Sequence, residues 1–241
     1  MKYFNQESER EVEFDLQRNT LLQSVSAGEV ANNPMLWIDR RTFTNILTKV
    51  EMFNMVKNVQ GSIVECGVYQ GNGLSTYYHL SSILEPVAFN RKVIGFDTFE
   101  GFPAVTNADS SSIPERHLSD VNYDLLIKAI EINDLNRNLG HIPKIDLVKG
   151  DATKTIPEYV KSHPELIISL LYLDFDIYEP TRIALEYLLP LVPKGGVIGF
   201  DELNQKKWQG ETIALKEVLN LSKINLRKFG FDPHVSYFVV E

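Results

Sequence analysis

Between Gly61 and Val240 the chain alternates short, nearly unbroken apolar runs with longer segments whose apolar residues recur at helical spacing. The runs are Ser62 to Cys66, Val93 to Asp97, Ile145 to Val148, Leu166 to Leu173 and Val197 to Phe200. Apolar runs of this length without polar alternation predict strands covered on both faces, and such strands run parallel. The intervening pattern predicts helices starting near Leu74, over Tyr123 to Asn133, around Ile156 to Lys161, through Ala184 to Leu189 and over Thr212 to Leu219. Two late strands, near Leu226 and over Ser236 to Val240, complete a mostly parallel seven-stranded sheet with helices on both faces, a Rossmann-like α/β architecture.

Upstream of the first strand, Phe43, Ile46, Leu47, Val50, Phe53 and Val56 recur at helical spacing, so Arg41 to Asn58 is expected as an amphipathic helix. Residues 1–60 therefore read as an N-terminal helical extension, and residues 61–241 as one compact domain. The helix is expected to cover a sheet edge or, with Leu36-Trp37-Ile38, to contribute to a dimer interface or a substrate lid. Gly101 to Asn122 breaks the alternation, being polar, turn-rich and long for a connection. Leaving the carboxyl end of the second strand, it is expected to overhang the ligand rim, either as a lid or as a mobile insertion.

Composition narrows the partners. A chain of 241 residues that is 44% hydrophobic is large enough for one sizeable core. Its net charge of -8 disfavours a general nucleic-acid or anionic-membrane surface, because phosphate binding draws on clustered Lys and Arg. The single cysteine, Cys66, lies inside the first strand and reads as a small buried residue, so nothing calls for an oxidising compartment. The first ten residues show no apolar signal core, and no run approaches the roughly 18 residues that span a bilayer. A cytoplasmic protein acting on a small molecule is the expectation.

The candidate chemistry lies where the strands end. Val64-Glu65-Cys66-Gly67-Val68-Tyr69-Gln70-Gly71-Asn72-Gly73 is a strand opening into a glycine turn, which lets the backbone turn sharply and approach a ligand closely. Asp97 ends the next strand, where a carboxylate accepts hydrogen bonds from a ribose diol. Acidic residues recur at the other ends as well: Asp151 after the third strand, Asp174 and Asp176 at the fourth, Asp201 and Glu202 at the fifth. Several carboxylates on one rim repel one another and require donors or a cation. Asp174, Asp201 and Glu202 are expected to converge on a hard divalent ion such as magnesium, and no His or Cys cluster suggests zinc.

Four strings in order then resemble a known family: Val64 to Gly71, Phe96-Asp97-Thr98-Phe99-Glu100-Gly101-Phe102-Pro103, Leu173-Asp174-Phe175-Asp176-Ile177-Tyr178-Glu179-Pro180-Thr181, and Gly195-Gly196-Val197-Ile198-Gly199-Phe200-Asp201-Glu202. They look like the macrocin-type sugar O-methyltransferases, which tailor macrocin, mycinamicin and novobiocin sugars, over about residues 36 to 240. The resemblance implies a class I methyltransferase fold, S-adenosylmethionine and magnesium as cofactors, and methylation of a deoxysugar hydroxyl. It implies cofactor contacts from Glu65, Gly67, Gly71, Asp97, Thr98, Asp151, Ala152 and Asp174. Glu65, Gly67 and Gly71 would shape the methionine pocket, Asp97 would hold the ribose and Asp151 would read the adenine amino group. The metal ligands would be Asp174, Asp201 and Glu202, with Asp176 as general base. The chain departs from the family at Glu202, where a second aspartate is usual, and at Phe175, where a small residue is common.

The implied mechanism joins metal activation of a sugar hydroxyl to proton removal by a positioned carboxylate and in-line attack on the sulfonium methyl. Further candidates are His117 and His234 as auxiliary bases or packed histidines, and Trp208 as a sugar-stacking or packing residue. Tyr77 and Tyr78 read as packing, and Lys206-Lys207 as a solvated pair or a diphosphate contact. Alternatives are a catechol or phenol acceptor, an NAD-dependent dehydrogenase, and a non-catalytic cofactor-binding protein. The dehydrogenase fits poorly, because Gly67, Gly71 and Gly73 do not make G-x-G-x-x-G and no tyrosine is followed four residues later by lysine.

Overall fold

The computed structural model describes residues 9–113 and 118–241. The chain divides into two compact units, Met1–Thr44 and Asn45–Glu241. In the first, α1 (Glu9–Leu22) buries no residue, and Arg18 pairs with both Asp15 and Asp39. The short α2 (Ala27–Asn32) opens with a capping box, Ser26 and Glu29 each satisfying the other's backbone N–H. Neither helix was expected individually, since the polar sequence of α1 carries little apolar periodicity.

The larger unit starts within α3 (Arg40–Val56) and holds one sheet. Its strands are β1 (Ser62–Cys66), β2 (Val93–Asp97), β3 (Ile145–Lys149), β4 (Ile168–Leu173), β5 (Val197–Phe200), β6 (Arg227–Lys228) and β7 (Ser236–Val239). They are ordered β3-β2-β1-β4-β5-β7-β6. The first five strands pair in parallel and β7 runs antiparallel to β5 and β6. Helices α4 (Asn72–Leu84), α5 (Tyr123–Asp134), α6 (Ala152–Ser162), α7 (Tyr178–Leu188) and α8 (Gln209–Val218) alternate with the strands as the apolar pattern predicts. Strand order reverses between β1 and β4, so the crevice beyond their carboxyl ends is the topological switch point where such sheets bind ligands.

Every residue of β1 and β4 is buried. Alternate side chains feed two cores, with Val64, Cys66, Leu171 and Leu173 on one face and Ile63, Leu170 and Tyr172 on the other. Each such aliphatic side chain stabilises the fold by roughly 1.5–3 kcal/mol, which fixes the register of the two strands that carry the rim.

Helix α3 forms where expected but is rotated about its axis. Its buried residues are Thr48, Lys49, Met52, Phe53 and Val56, while Leu47 faces outward. Apolar periodicity misses this because the polar members find partners inside: Thr48 donates to Asp232 Oδ2 at 2.6 Å, and Lys49 meets Glu65.

The described part of the 101–122 segment is anchored to the domain. Asp109 is buried and accepts hydrogen bonds from Thr106 and, at 2.7 Å, from the Tyr178 N–H at the start of α7. Ile113 packs with Ile177 and Trp208, and Gln209 donates to the Ala108 carbonyl. Gly210 leaves space for this strap, since a Cβ there would lie 2.4 Å from Asp109 Oδ1.

Candidate active site

The glycine turn sits at the switch point. Gly67 has φ +94, and a Cβ on it would lie 1.9 Å from the Asp174 carbonyl oxygen, so only glycine lets β1 leave the sheet beside β4. The ends are tied together by backbone bonds from Gly67 N to Phe96 O, Asp174 N to Cys66 O and Asp201 N to Leu173 O, at 2.8–3.0 Å. Gly71, at φ +85, precedes the first residue of α4.

Asp97 is engaged by the turn itself. Its Oδ2 accepts from the Val68 and Tyr69 N–H groups at 2.8 and 2.7 Å, and its Oδ1 from Phe99 N–H at 2.6 Å. The carboxylate assigned to a ribose therefore also moulds the loop beneath it. Tyr69 and Phe99 are both held at positive φ, 49 and 55, a backbone region that non-glycine residues seldom occupy without support. Thr98 turns its hydroxyl to the Gly101 carbonyl. Asp151 caps α6, accepting from the Thr153 N–H and hydroxyl at 3.0 and 2.7 Å, with Lys154 at 3.2 Å. Ala152, the next residue, is buried.

The β4–β5 side is different. Asp176, Asp201, Glu202 and Glu211 are all buried, and Asp174 lies among them. Asp176 is itself at φ 63. Burial pushes its carboxyl up to about 7, the charges of Asp201 and Asp97 adding to the effect while Glu202 and Lys207 oppose it. Glu202 is pushed up to about 12, first by burial, then by the charge of Asp176 and a side-chain hydrogen bond with it, with Asp201 adding. Burial also raises Asp174, with Asp201 and Asp176 adding. Asp201 is raised by burial and restrained by Lys49 and by the Tyr172 hydroxyl, which donates to Asp201 Oδ1 at 2.6 Å.

Sequence reasoning missed two members of this group. Glu211, three residues after Trp208, is 0% exposed. One of its oxygens accepts from Glu202 N–H at 3.3 Å, and burial, Asp176 and Asp201 raise its carboxyl. Lys49, 1% exposed, places its Nζ 3.5 Å from Glu65 Oε1 and 3.7 Å from the Tyr172 ring centroid. The available signal for Lys49 was its place three and four residues before Met52 and Phe53 on the apolar stripe.

Other candidates resolve. Trp208 is buried against Ile113 and Ile177, with the edge of Phe102 beside it, so it packs beneath the strap. Lys207 lies 4.8 Å from the Trp208 ring. His234 Nδ1 pairs with Gln205 Nε2 at 2.7 Å, and the imidazole lowers the Asp201 carboxyl. Tyr77 is buried beside Glu65, and its hydroxyl has no hydrogen-bond partner among the described residues. Phe175 belongs to the core, and Cys66 is buried as expected. His117 lies outside the described residues.

The donor set suits a hard cation in kind, being carboxylate oxygens of which Glu202 Oε2 and Glu211 Oε1 are buried with no hydrogen-bond partner among the described residues. Among the described residues no three His, Cys, Asp or Glu groups gather as a ligand set. Tyr172 holds Asp201, and Glu202 turns to Asp176. No described helix is long and apolar enough to cross a membrane.

Comparison with known proteins agrees with the four motifs. The calicheamicin methyltransferase CalS11 superposes with a TM-score of 0.91 at 32% identity, covering 98% of this chain and 95% of that one. An apo structure of CalS11, described as a TDP-rhamnose 3'-O-methyltransferase of calicheamicin biosynthesis, gives 0.84 at 31% identity, covering 99% and 98%. The O-methyltransferase NovP shares the fold, with a TM-score of 0.65 at 18% identity over 82% of this chain and 79% of its own. A tetracenomycin rhamnosyl 4'-O-methyltransferase of Streptomyces olivaceus is 29% identical over 153 residues, 61% of this chain and 55% of the relative, so the match spans about half of that protein. The macrocin-O-methyltransferase family model matches residues 14–238, and with the class I methyltransferase sheet and its glycine turn in place, the chain belongs to the macrocin-O-methyltransferase family.

Proposed function

We propose that this protein transfers the methyl group of S-adenosylmethionine to a hydroxyl of a deoxysugar, with magnesium at the acid cluster. The observation that carries the reading is Asp176, a buried carboxylate at φ 63 just beyond the end of β4 on the switch-point rim, whose carboxyl burial pushes upward. A general base works best when its pKa lies near the operating pH. Rhamnose-modifying relatives support a deoxysugar acceptor.

In this reading Gly67, packed against the Asp174 carbonyl, and Gly71, packed against Leu126, allow the turn that shapes the pocket for the donor's methionine end, and Asp97 holds that turn while keeping lone-pair capacity for a ribose hydroxyl. Asp151 stands at the start of α6 for the adenine. Asp174, Asp201 and Glu202 would hold the cation, which when bound lowers the pKa of an acceptor hydroxyl. Asp176 takes the hydroxyl proton. Orientation of acceptor and methyl in one crevice supplies much of the remaining rate, an effect worth up to roughly 7–11 kcal/mol.

The test is calorimetric titration with S-adenosylmethionine and with NAD, followed by a methyl-transfer screen over nucleotide deoxysugars and catechols, with and without magnesium. Donor binding with magnesium-dependent methylation of a sugar is expected. NAD binding alone overturns the reading, and methylation of catechols alone moves the acceptor class.

A further inference from the structure

Lys49 is a lysine that the proposed chemistry does not use, and it is costly where it lies. A buried ammonium needs compensation from charges or hydrogen bonds. Its surroundings are Glu65 Oε1 at 3.5 Å, the Tyr172 ring at 3.7 Å and the Tyr77 ring at 5.7 Å. Two aromatic faces and one carboxylate oxygen hold the cation in place.

Glu65 is equally unusual. It is 2% exposed, and burial pushes its carboxyl up to about 7, against which Lys49 favours the charged form. While Oε1 faces Lys49, Oε2 is buried with no hydrogen-bond partner among the described residues. A buried carboxyl group with one oxygen facing an ammonium and the other orphaned is a poor final state for a core, and a donor at Oε2 would complete it.

Gly73 supplies an independent observation. Unlike Gly67 and Gly71 it is not among the positive-φ glycines, so its backbone does not explain it. A Cβ there would lie 2.0 Å from Glu65 Oε1 and 2.3 Å from Lys49 Cε. The third glycine of the turn is thus the space that the Lys49–Glu65 pair occupies.

We propose that Lys49 is a positioning residue, which fixes Glu65 through Oε1 and leaves Oε2 to accept a hydrogen bond from the ammonium of the methyl donor's amino-acid end. This rests on the reading of a sulfonium-donor methyltransferase, in which Glu65 lines the methionine pocket, and adds to it the lysine that holds this carboxylate in place. Without Lys49 the buried carboxyl reverts to its neutral form and loses most of its preference for an ammonium.

The experiment is calorimetry of wild type, Lys49→Met and Gly73→Ala with two ligands: S-adenosylhomocysteine, and the same molecule with hydrogen in place of the amino group. A charge-assisted hydrogen bond corresponds to a preference of roughly 10-fold or more for the parent ligand in wild type. Lys49→Met is expected to shrink that preference to about 2- to 3-fold while the amino-less ligand binds about as before. Gly73→Ala, which keeps both charged residues but crowds them, is expected to shrink it in the same direction and covers the case in which Lys49→Met fails to fold. Equal weakening of both ligands by either variant, or an undiminished preference, overturns the assignment. Wild type binding both ligands equally also overturns it while leaving the methyltransferase reading intact, whereas wild type binding neither removes both.

Discussion

Asp97 and Asp151, at the ends of β2 and β3, accept several short hydrogen bonds from nearby backbone N–H and hydroxyl groups. Asp176, Glu202 and Glu211, on the β4–β5 side, are buried with far fewer donors, and two of their oxygens have none among the described residues. The same residue type on one rim is therefore put to opposite uses. On the β2–β3 side carboxylates stabilise the loops that follow the strands. On the other side they are held at raised pKa, a destabilising arrangement that is retained where proton transfer or cation binding makes use of it.

That contrast can be broken from either side. The largest effect should come from Asp176→Asn, which removes the proposed base and should lower methyl transfer by about 10²–10⁴-fold. S-adenosylhomocysteine affinity should stay within a few-fold, and single-turnover assays beside calorimetry separate the two. Retained activity would end the assignment of Asp176 as base.

Next in size is Asp97→Ala. Three backbone N–H groups lose their acceptor, and with charge-assisted bonds worth about 1.5–3 kcal/mol each and partial rescue by water, a loss of about 2–4 kcal/mol is expected in urea unfolding. A loss confined to cofactor affinity, with stability unchanged, would show that the loop does not depend on this carboxylate.

The pH dependence of stability sharpens the comparison at Glu65. Its native value of about 7 lies above the ordinary 4.5, so the folded state holds the proton more tightly than the unfolded one. The stabilising contribution is complete below about 4.5 and is lost as pH rises through about 7. The groups acting on it are Lys49, Asp201, Asp97 and the neighbouring Tyr77. Urea midpoints of the ligand-free protein should therefore fall between pH 5 and 8 more steeply in wild type than in Glu65→Gln. Identical slopes would remove Glu65 from the account.

The smallest and most discriminating pair is Asp151→Ala against Glu211→Gln. Loss of the α6 cap should cost about 1 kcal/mol. Neutralising Glu211, whose charged form burial disfavours, should leave stability unchanged or raise it by about 1 kcal/mol. Equal destabilisation by both would erase the distinction between the two halves of the rim.

Much of this was legible before the structure. Unbroken apolar runs determine buried parallel strands because neither face tolerates polar side chains, and Ser62–Cys66, Val93–Asp97 and Val197–Phe200 form as read. The four motifs determined the family because their order and spacing are set by strand ends that must meet at one rim. What the linear pattern could not register was pairing across it. Lys49 and Glu65 are 16 positions apart and Thr48 and Asp232 are 184 apart, so the rotation of α3 became visible only when those partners met. Glu211 likewise looks like an ordinary helix-start glutamate until α8 packs it against Glu202 and Asp176. The sequence by itself determined the alternating strands and helices of the sheet and the carboxylates that end its strands. Tertiary structure alone decided which of them are satisfied and which stay unpaired, because that depends on how many donors the packed chain brings within about 3 Å of each oxygen.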